Sequence, residues 1–327
     1  MRRIKRAMAI LALGLLGLAG ATAWAASPDE TKQSAECVKC HDEEDLPAWQ
    51  RSPHAQPTDP RTPACTTCHG ASDAHAHKPA GAPSQPKPDR MFRANAPTPV
   101  GERNAACLTC HRKDAKRAMW GGSQHESADL ACSTCHRIHT NTDKVMVRTT
   151  QVEVCFTCHK EQRTQLARPS HHPVPEGKMT CTDCHNVHGS AGPKLVKRDS
   201  TNDTCYLCHA EKRGPFVFGH EPVSEDCATC HNPHGSTVQA MLKARPPMLC
   251  MQCHAGHVTG GVGAVGGQPG VFGPAAPGQL APGITSITGG KNVVNIWQGR
   301  SCMNCHTQVH GTNNPSPTNP TPRLFFR

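Results

Sequence analysis

Aromatic side chains, which usually fill a protein core, are scarce in this sequence. Phe, Trp and Tyr make up only 4% of the 327 residues, whereas there are 29 Pro and 28 Gly. A polypeptide with so few large apolar side chains cannot by itself supply the core expected for its length, so bound non-protein groups must add to it. We expect an extended, mostly irregular structure with short α-helices and little or no β-sheet, since no alternating strand pattern is present.

Long apolar runs are missing as well, except for a short one near the start. Residues 2–6 carry four basic side chains, residues 7–19 are apolar, and Ala23-Trp24-Ala25 has the A-x-A form of a cleavage site. The apolar run falls short of the roughly 20 residues that a membrane span needs. The pattern therefore predicts a signal peptide over residues 1–25 and export from the cytoplasm, rather than a permanent membrane anchor.

No cysteine lies outside one repeated motif. All 20 belong to Cys-x-x-Cys-His, the signature of c-type haem attachment. One copy could also be half of a zinc site or a redox dithiol. However, zinc ribbons need no His after each cysteine pair, and a disulfide framework would not repeat a single local spacing. Ten copies predict ten covalently bound haem c groups, with the packed porphyrins as the core.

The motifs define two sets of candidate site residues. The cysteines form thioether bonds to the haem vinyl groups, and the His that closes each motif lies under the iron as its proximal ligand. The attachment cysteines are Cys37, Cys40, Cys65, Cys68, Cys107, Cys110, Cys132, Cys135, Cys155, Cys158, Cys181, Cys184, Cys205, Cys208, Cys227, Cys230, Cys250, Cys253, Cys302 and Cys305. The proximal histidines are His41, His69, His111, His136, His159, His185, His209, His231, His254 and His306.

Histidines outside the motifs are the candidates for the sixth iron ligand. Twelve remain, and two pairs lie close together, so counting each pair once leaves ten candidates for ten irons. This match predicts bis-histidine coordination, which closes the irons to substrates and favours one-electron transfer over catalysis. The preferred distal set is His54, His77, His125, His139, His172, His188, His220, His234, His257 and His310, with His75 as the alternative to His77 and His171 as the alternative to His172.

The motifs recur about every 25 residues, with two insertions. Residues 71–102 are rich in Pro, Ala and Lys, and this composition indicates an exposed loop without a function of its own. Residues 256–300 contain 13 Gly and are interpreted as a surface loop, with a docking segment as the alternative.

Motifs four, six and eight continue as His-x-x-His. Residues three apart on a helical turn project from nearly the same face, so the second His cannot reach round its own porphyrin. We therefore expect His139, His188 and His234 to ligate neighbouring haems. One short segment would then hold two cofactors close together, as in a wire.

The net charge of +10 does not indicate a nucleic-acid-binding protein. Four of the positive charges lie in the predicted signal peptide, and each ferric haem would add about one negative charge through its propionates. The Lys and Arg side chains are better explained as partners of the propionates than as a phosphate-binding surface.

Several features together resemble the decahaem cytochromes of the MtrA, MtoA and DmsE type. They are the ten motifs, the His-x-x-His-Gly continuations at His188 and His234, and the ending from Cys302 to Gly311. The resemblance covers essentially the whole mature chain. It implies two pentahaem halves, here residues 26–175 and residues 176–327, the second of which contains the Gly-rich insertion.

For the MtrA and MtoA types, the resemblance also implies a location and a set of partners. Such a protein lies in the periplasm in association with the outer membrane, inside a β-barrel porin. It links a periplasmic or inner-membrane cytochrome to an extracellular cytochrome or a metal oxide. Electrons would flow outward in metal reduction or inward in iron oxidation.

Two other functions remain open from the residues alone. A soluble periplasmic shuttle to a terminal reductase, such as a dimethyl sulfoxide reductase, would use the same haems. A multihaem reductase would need an open iron and often has a Lys in place of a proximal His, whereas all ten motifs end in His. No catalytic residue is therefore predicted.

Overall fold

The computed structural model describes residues 34–41, 49–56, 58–59, 61–246, 248–254, 302–304 and 306–313. The predicted signal peptide, the Gly-rich insertion, His257 and Cys305 lie outside the described residues.

Short helices form at and around the Cys-x-x-Cys-His motifs, as the sequence predicts. The longest in the described ranges has 12 residues and ends on the His of motif three. The α-helices are α1 (Cys65–His69), α2 (Asp73–Ala76), α3 (Val100–His111), α4 (Gln124–Ser127), α5 (Cys132–Cys135), α6 (Gln151–Phe156), α7 (Lys160–Leu166), α8 (Cys181–Cys184), α9 (Thr201–Cys205) and α10 (Glu221–Glu225). Residues 34–37 are helical as well.

Single turns of 3₁₀-helix complete the regular structure. They occupy Pro53–Ala55, Ala115–Arg117, Lys144–Met146, Pro193–Leu195, Ala210–Lys212, Cys227–Thr229, Gln239–Met241, Cys250–Gln252 and Cys302–Asn304. Capping side chains explain where some of the helices start. Ser200 accepts a hydrogen bond from the amide of Asp203 at the start of α9, and Asp226 caps Cys227–Thr229 in the same way.

Pleated sheet plays no part in the described ranges, which contain isolated antiparallel bridges and no β-strand. The bridges His185 to Val196 and His231 to Leu242 close equivalent loops after motifs six and eight. The expectation of irregular structure with short helices and little or no sheet is therefore confirmed.

The chain divides into two compact units. The first comprises the residues up to Asp114 together with Ala128–Val147, and the second comprises Ala115–Ser127 together with the residues from Arg148 onward. Motifs one to four thus belong to the first unit, and motifs five to ten belong to the second. The division into pentahaem halves at residue 175 stays a prediction.

The apolar core made by the polypeptide is small. Its main cluster consists of Val152, Phe156, Leu166 and Val174, with Met179 and Cys181 packed against it. In the described ranges, so small a cluster leaves most of the conformational entropy of folding to be offset by other contacts. This agrees with the expectation that packed porphyrins add to the core.

Candidate haem-binding sites

The first cysteines of consecutive motifs meet in pairs. Burial is the main reason why the pKa of the Cys205 thiol rises to about 12, and the charge and hydrogen bond of Cys227 add to it. Once thioethers form these groups no longer titrate, but the contacts still show which attachment points are neighbours. The pairs are Cys37 with Cys65, Cys107 with Cys132, Cys155 with Cys181, Cys205 with Cys227 and Cys250 with Cys302.

The second cysteines meet in the alternate register. The second cysteine of an even motif lies close to the second cysteine of the odd motif that follows it, so that the charge of one thiolate raises the pKa of the other thiol. These neighbours are Cys68 with Cys110, Cys184 with Cys208 and Cys230 with Cys253. Within each unit, successive attachment points are therefore adjacent in the order in which they occur along the chain.

Polar side chains that the sequence analysis missed hold the motifs in pairs. Asn104, three residues before Cys107, accepts a hydrogen bond from the Cys132 amide at 2.8 Å, and Asn202, three residues before Cys205, accepts one from the Cys227 amide at 2.7 Å. Both Asn side chains are buried. Ser34 before motif one and Gln151 before motif five make similar bonds. A polar residue three or four positions before an odd motif is the signal that could have revealed them.

The ring orientation of many candidate ligands is set by hydrogen bonds from Nδ1. A carbonyl oxygen can only accept, so Nδ1 carries the proton and Nε2 keeps the lone pair that binds a metal. The proximal rings donate at 2.8 to 3.0 Å in the pairs His69 to Arg90, His185 to Lys194 and His231 to Ala240. Four distal candidates donate at 2.7 to 2.9 Å in the pairs His75 to Pro86, His125 to Val187, His172 to Pro233 and His220 to Val309.

Proximal His136 has a different acceptor. Its Nδ1 lies 2.7 Å from Oδ2 of Asp143, a carboxylate rather than a backbone carbonyl. The same tautomer results, because a carboxylate also accepts.

Each of the carbonyls of Val187, Pro233 and Val309 directly precedes a distal candidate. The residues that follow them are His188, His234 and His310. One short segment thus presents its own histidine and also orients a second distal histidine from elsewhere in the chain. The sequence argument placed the two histidines of each His-x-x-His continuation on one helical turn. For motifs four and six this is wrong, since His136 and His185 are extended residues that end α5 and α8.

Within the part of the chain that the structure describes, eight proximal histidines each face one candidate distal histidine at a nearly constant distance between ring centres. The separations run from 5.9 to 6.3 Å, while the angles between ring planes run from 16° to 79°. The pairs are His41 with His75, His111 with His54, His69 with His139, His159 with His125, His209 with His172, His185 with His234, His254 with His220 and His231 with His310.

The constant separation fits haem coordination. Two iron–nitrogen bonds of about 2 Å, with about 1 Å from each nitrogen to its ring centre, place two axial rings about 6 Å apart. Direct aromatic contacts would span about 4.5–7 Å and would couple distance to angle. Here the angle varies and the distance does not, so the side chains present fit a haem iron between each pair. Burial also lowers the pKa of His54, His69, His185, His234 and His310, which favours the neutral, ligating form.

Known protein families and proteins are similar to this chain in sequence. A family described as "Doubled CXXCH motif" matches residues 171–214 and 220–259, and a family described as "Cytochrome c-type protein NrfB-like" matches residues 65–150. The chain is 41% identical to "Multiheme cytochrome MtrA" of Shewanella baltica over 254 residues. These residues are 77% of this chain and 68% of that relative.

The chain belongs to the MtrA family of multihaem c-type cytochromes. As a member of this family it binds haem c covalently and transfers electrons.

More distant relatives match smaller parts of this MtrA-family chain. The "High-molecular-weight cytochrome c" of Nitratidesulfovibrio vulgaris is 28% identical over 153 residues, which are 46% of this chain and 26% of that protein. The "Cytochrome c-type protein NrfB" of Haemophilus influenzae is 28% identical over 106 residues, which are 32% of this chain and 46% of that protein.

The structure also distinguishes between the two members of each close pair of histidines in this MtrA-family chain. The ring facing His41 belongs to His75, whereas the sequence preferred His77. At the second close pair it is His172 that faces His209, while Nε2 of His171 lies 3.0 Å from Glu176.

The first insertion is more than an exposed loop. It contributes His75, and its Arg90 carbonyl accepts the Nδ1 proton of His69 at 3.0 Å. These two contacts are evidence against the interpretation of residues 71–102 as a segment without function. Three other expected ligands in the described ranges are not among the eight facing pairs. The ring of His188 is centred 6.2 Å from that of Trp120. His136 and His306 are the two remaining proximal histidines. Within the described ranges, no helix is both long and apolar enough to cross a bilayer.

Proposed function

We propose that this MtrA-family chain carries ten haems, that histidines hold each iron on both sides, and that electrons pass between haems in motif order within each unit. The observation that carries the proposal is the separation of 5.9 to 6.3 Å in eight pairs of proximal and distal candidates. Bound haem supplies one-electron chemistry, its iron alternating between ferric and ferrous states.

The polypeptide contributes orientation and closure. In the seven rings described above whose Nδ1–H donates to a backbone carbonyl, this bond fixes the ring orientation and leaves Nε2 as the nitrogen that would bind an iron. With His on both faces, a haem iron has no position for a substrate. The side chains therefore favour electron transfer over turnover of a small molecule.

The cysteine contacts support the order of transfer. First cysteines pair odd with even motifs, and second cysteines link each even motif to the next odd one. This alternation gives every attachment point inside a unit one neighbour on each side along the chain, apart from the end points. A linear relay follows more naturally from it than a branched cluster.

Crossed variants test the pairing of His185 with His234. The change His234→Ala should open one iron, which becomes high-spin and binds one carbon monoxide when reduced. The double variant His185→Ala/His234→Ala should still bind one carbon monoxide, because both rings serve one haem. The variant His231→Ala/His234→Ala should bind two, because those rings serve different haems.

A neighbouring histidine provides the control. His171→Ala, at the residue next to His172, should leave every iron low-spin, since His171 lies against Glu176. The pairing is refuted if His234→Ala opens no iron. It is also refuted if the carbon monoxide counts of the two double variants are reversed.

In the cell, we propose a periplasmic protein associated with the outer membrane as the cytochrome of a porin conduit. Membership of the MtrA family supports this role. Membrane fractionation with haem staining should place the protein with outer membranes and recover it with a β-barrel porin. Recovery in the soluble fraction without a porin would instead favour the shuttle to a terminal reductase.

A further inference from the structure

The loop after motif four differs from the equivalent loops after motifs six and eight in how it holds the proximal histidine. After motif six, His185 Nδ1 donates to the Lys194 carbonyl, and the Asn186 amide donates to the Leu195 carbonyl. After motif eight, His231 and Asn232 donate in the same way to the carbonyls of Ala240 and Met241. Two consecutive backbone carbonyls thus receive two consecutive donors.

After motif four, one carboxylate takes both of these places. Oδ2 of Asp143 accepts from His136 Nδ1 at 2.7 Å, and Oδ1 accepts from the Arg137 amide at 3.3 Å. Oδ1 also lies 3.4 Å from the Val145 amide, where Asp143 caps the turn Lys144–Met146. A group with a full negative charge therefore replaces two neutral carbonyls at the same point of the loop.

The environment preserves the strength of this bond. The side chains of His136 and Asp143 are 26% and 18% exposed, so water screens the pair only partly. A hydrogen bond from a ring nitrogen to a carboxylate is stronger than one to a carbonyl and moves electron density toward the other ring nitrogen. A more electron-rich ligand stabilises ferric over ferrous iron.

We propose that Asp143 is a positioning residue that lowers the reduction potential of the haem attached at Cys132 and Cys135 by its hydrogen bond to His136. The inference rests on the proposed function to the extent that His136 must be an iron ligand. Among the proximal histidines whose Nδ1 hydrogen bond is described above, it applies to His136, because the Nδ1 atoms of His69, His185 and His231 donate to backbone carbonyls.

Glu211, a second carboxylate near a proximal histidine, serves as a comparison. Oε1 of Glu211 is 3.9 Å from Nδ1 of His209, beyond hydrogen-bond distance, and the Glu211 side chain is 60% exposed. Charge alone is therefore present at His209, whereas charge and a short hydrogen bond are combined at His136.

The test uses Asp143→Asn in the holoprotein. Asn caps helices about as well as Asp, so the turn should survive while the charge is lost. Redox titration followed by haem absorbance should show about one tenth of the absorbance change moving to higher potential, since one of ten haems is affected. All irons should stay low-spin, and the haem count should not change.

Two controls separate the hydrogen bond from other effects of removing a carboxylate. Glu211→Gln removes a charge near a proximal histidine without a hydrogen bond, and Asp226→Asn changes a capping Asp beside motif eight whose side chain accepts from the Ala228 amide at 2.8 Å. Both should shift the potentials less than Asp143→Asn does. Equal shifts in all three variants would overturn the proposal, as would an unchanged titration of Asp143→Asn.

A measurement on the unaltered protein covers the case in which the variant fails to fold. In the fully reduced, ¹⁵N-histidine-labelled protein, one Nδ1 proton should resonate clearly downfield of those bonded to carbonyls. If no such proton exists, the carboxylate bond is absent and the inference fails.

If Asp143→Asn instead keeps its haems but gains a high-spin iron, the inference fails as well, because Asp143 then holds the ligand in place rather than tuning it. The proposed function fails separately, if the unaltered protein has irons that are not low-spin.

Discussion

The motif three to four region and the motif seven to eight region are built on the same plan up to the second motif of each. In both, a buried Asn three residues before the odd motif holds the amide of the first cysteine in the even motif. The regions diverge afterwards. After motif eight the accepting carbonyls belong to two left-handed residues, Ala240 and Met241, with φ of 56° and 54°. After motif four the acceptor is the carboxylate of Asp143, whose φ is −78°.

The divergence shows that one hydrogen-bonding requirement can be met in two ways. Motif eight meets it with backbone carbonyls, which cost conformational strain because left-handed conformations are unfavourable for residues with a Cβ. Motif four meets it with a side chain, which avoids that strain but places a charge beside the ligand. The choice therefore changes the electrostatics of the haem site as well as the loop.

The largest expected effect concerns Gly235, the residue that follows His234 after motif eight. Gly235 has a φ of +140°, and an added Cβ would collide with the carbonyl oxygen of Gln165. Gly235→Ala should lower the free energy of unfolding by about 3 kcal/mol or more, through both strain and overpacking. Thermal unfolding of the holoprotein, followed by haem absorbance, measures the loss.

The matched variant in the other region is Thr140→Ala, since Thr140 follows His139 and lacks a positive φ. It should cost about 1 kcal/mol or less. Similar losses in the two variants would mean that the glycine has no special role and that the two loops are more alike than their backbones indicate.

The smallest expected effect concerns the left-handed residue itself. Ala240→Gly keeps the carbonyl that accepts from His231 and relieves about 1–2 kcal/mol of left-handed strain, against an entropy cost of about 0.4–1 kcal/mol. The variant should therefore be more stable by about 0.5 kcal/mol. In the other loop, Lys144→Gly should be less stable by about 0.5–1 kcal/mol, because Lys144 is in a helical turn. Chemical denaturation of both variants would reveal the opposite signs, and equal signs would contradict the comparison.

Some site features could be predicted from sequence because they are local. The Cys-x-x-Cys-His motifs are contiguous, and so is the His-x-x-His spacing that led us to expect ligation of a neighbouring haem. The structure places His139 against His69 and His234 against His185, each the proximal histidine of another motif. The helical turn invoked to explain this was wrong, although the placement of His139 and His234 agrees with the stated consequence, and ligation by His188 stays a prediction.

Other features could not be read from the sequence, because they depend on residues far apart in the chain. His125 is oriented by Val187 and His220 by Val309, at separations of 62 and 89 residues. Within residues 71–102 the sequence indicated His77 or His75 as a ligand, but the contact of the Arg90 carbonyl with His69 was missed, since a Pro-rich composition does not indicate which carbonyl meets which ring. Asp143 was overlooked because a single acidic residue seven positions after a histidine has no distinctive pattern.

The sequence by itself determined the covalent chemistry: twenty cysteines in ten copies of one motif, each followed by a histidine. That information is complete within five consecutive residues, so no folding is needed to read it. Only the tertiary structure decided which histidines face each other, that His75 faces His41 and His172 faces His209, and that a carboxylate rather than a carbonyl holds His136. These choices depend on distances of a few ångströms between segments that are brought together by folding, and a linear pattern does not contain them.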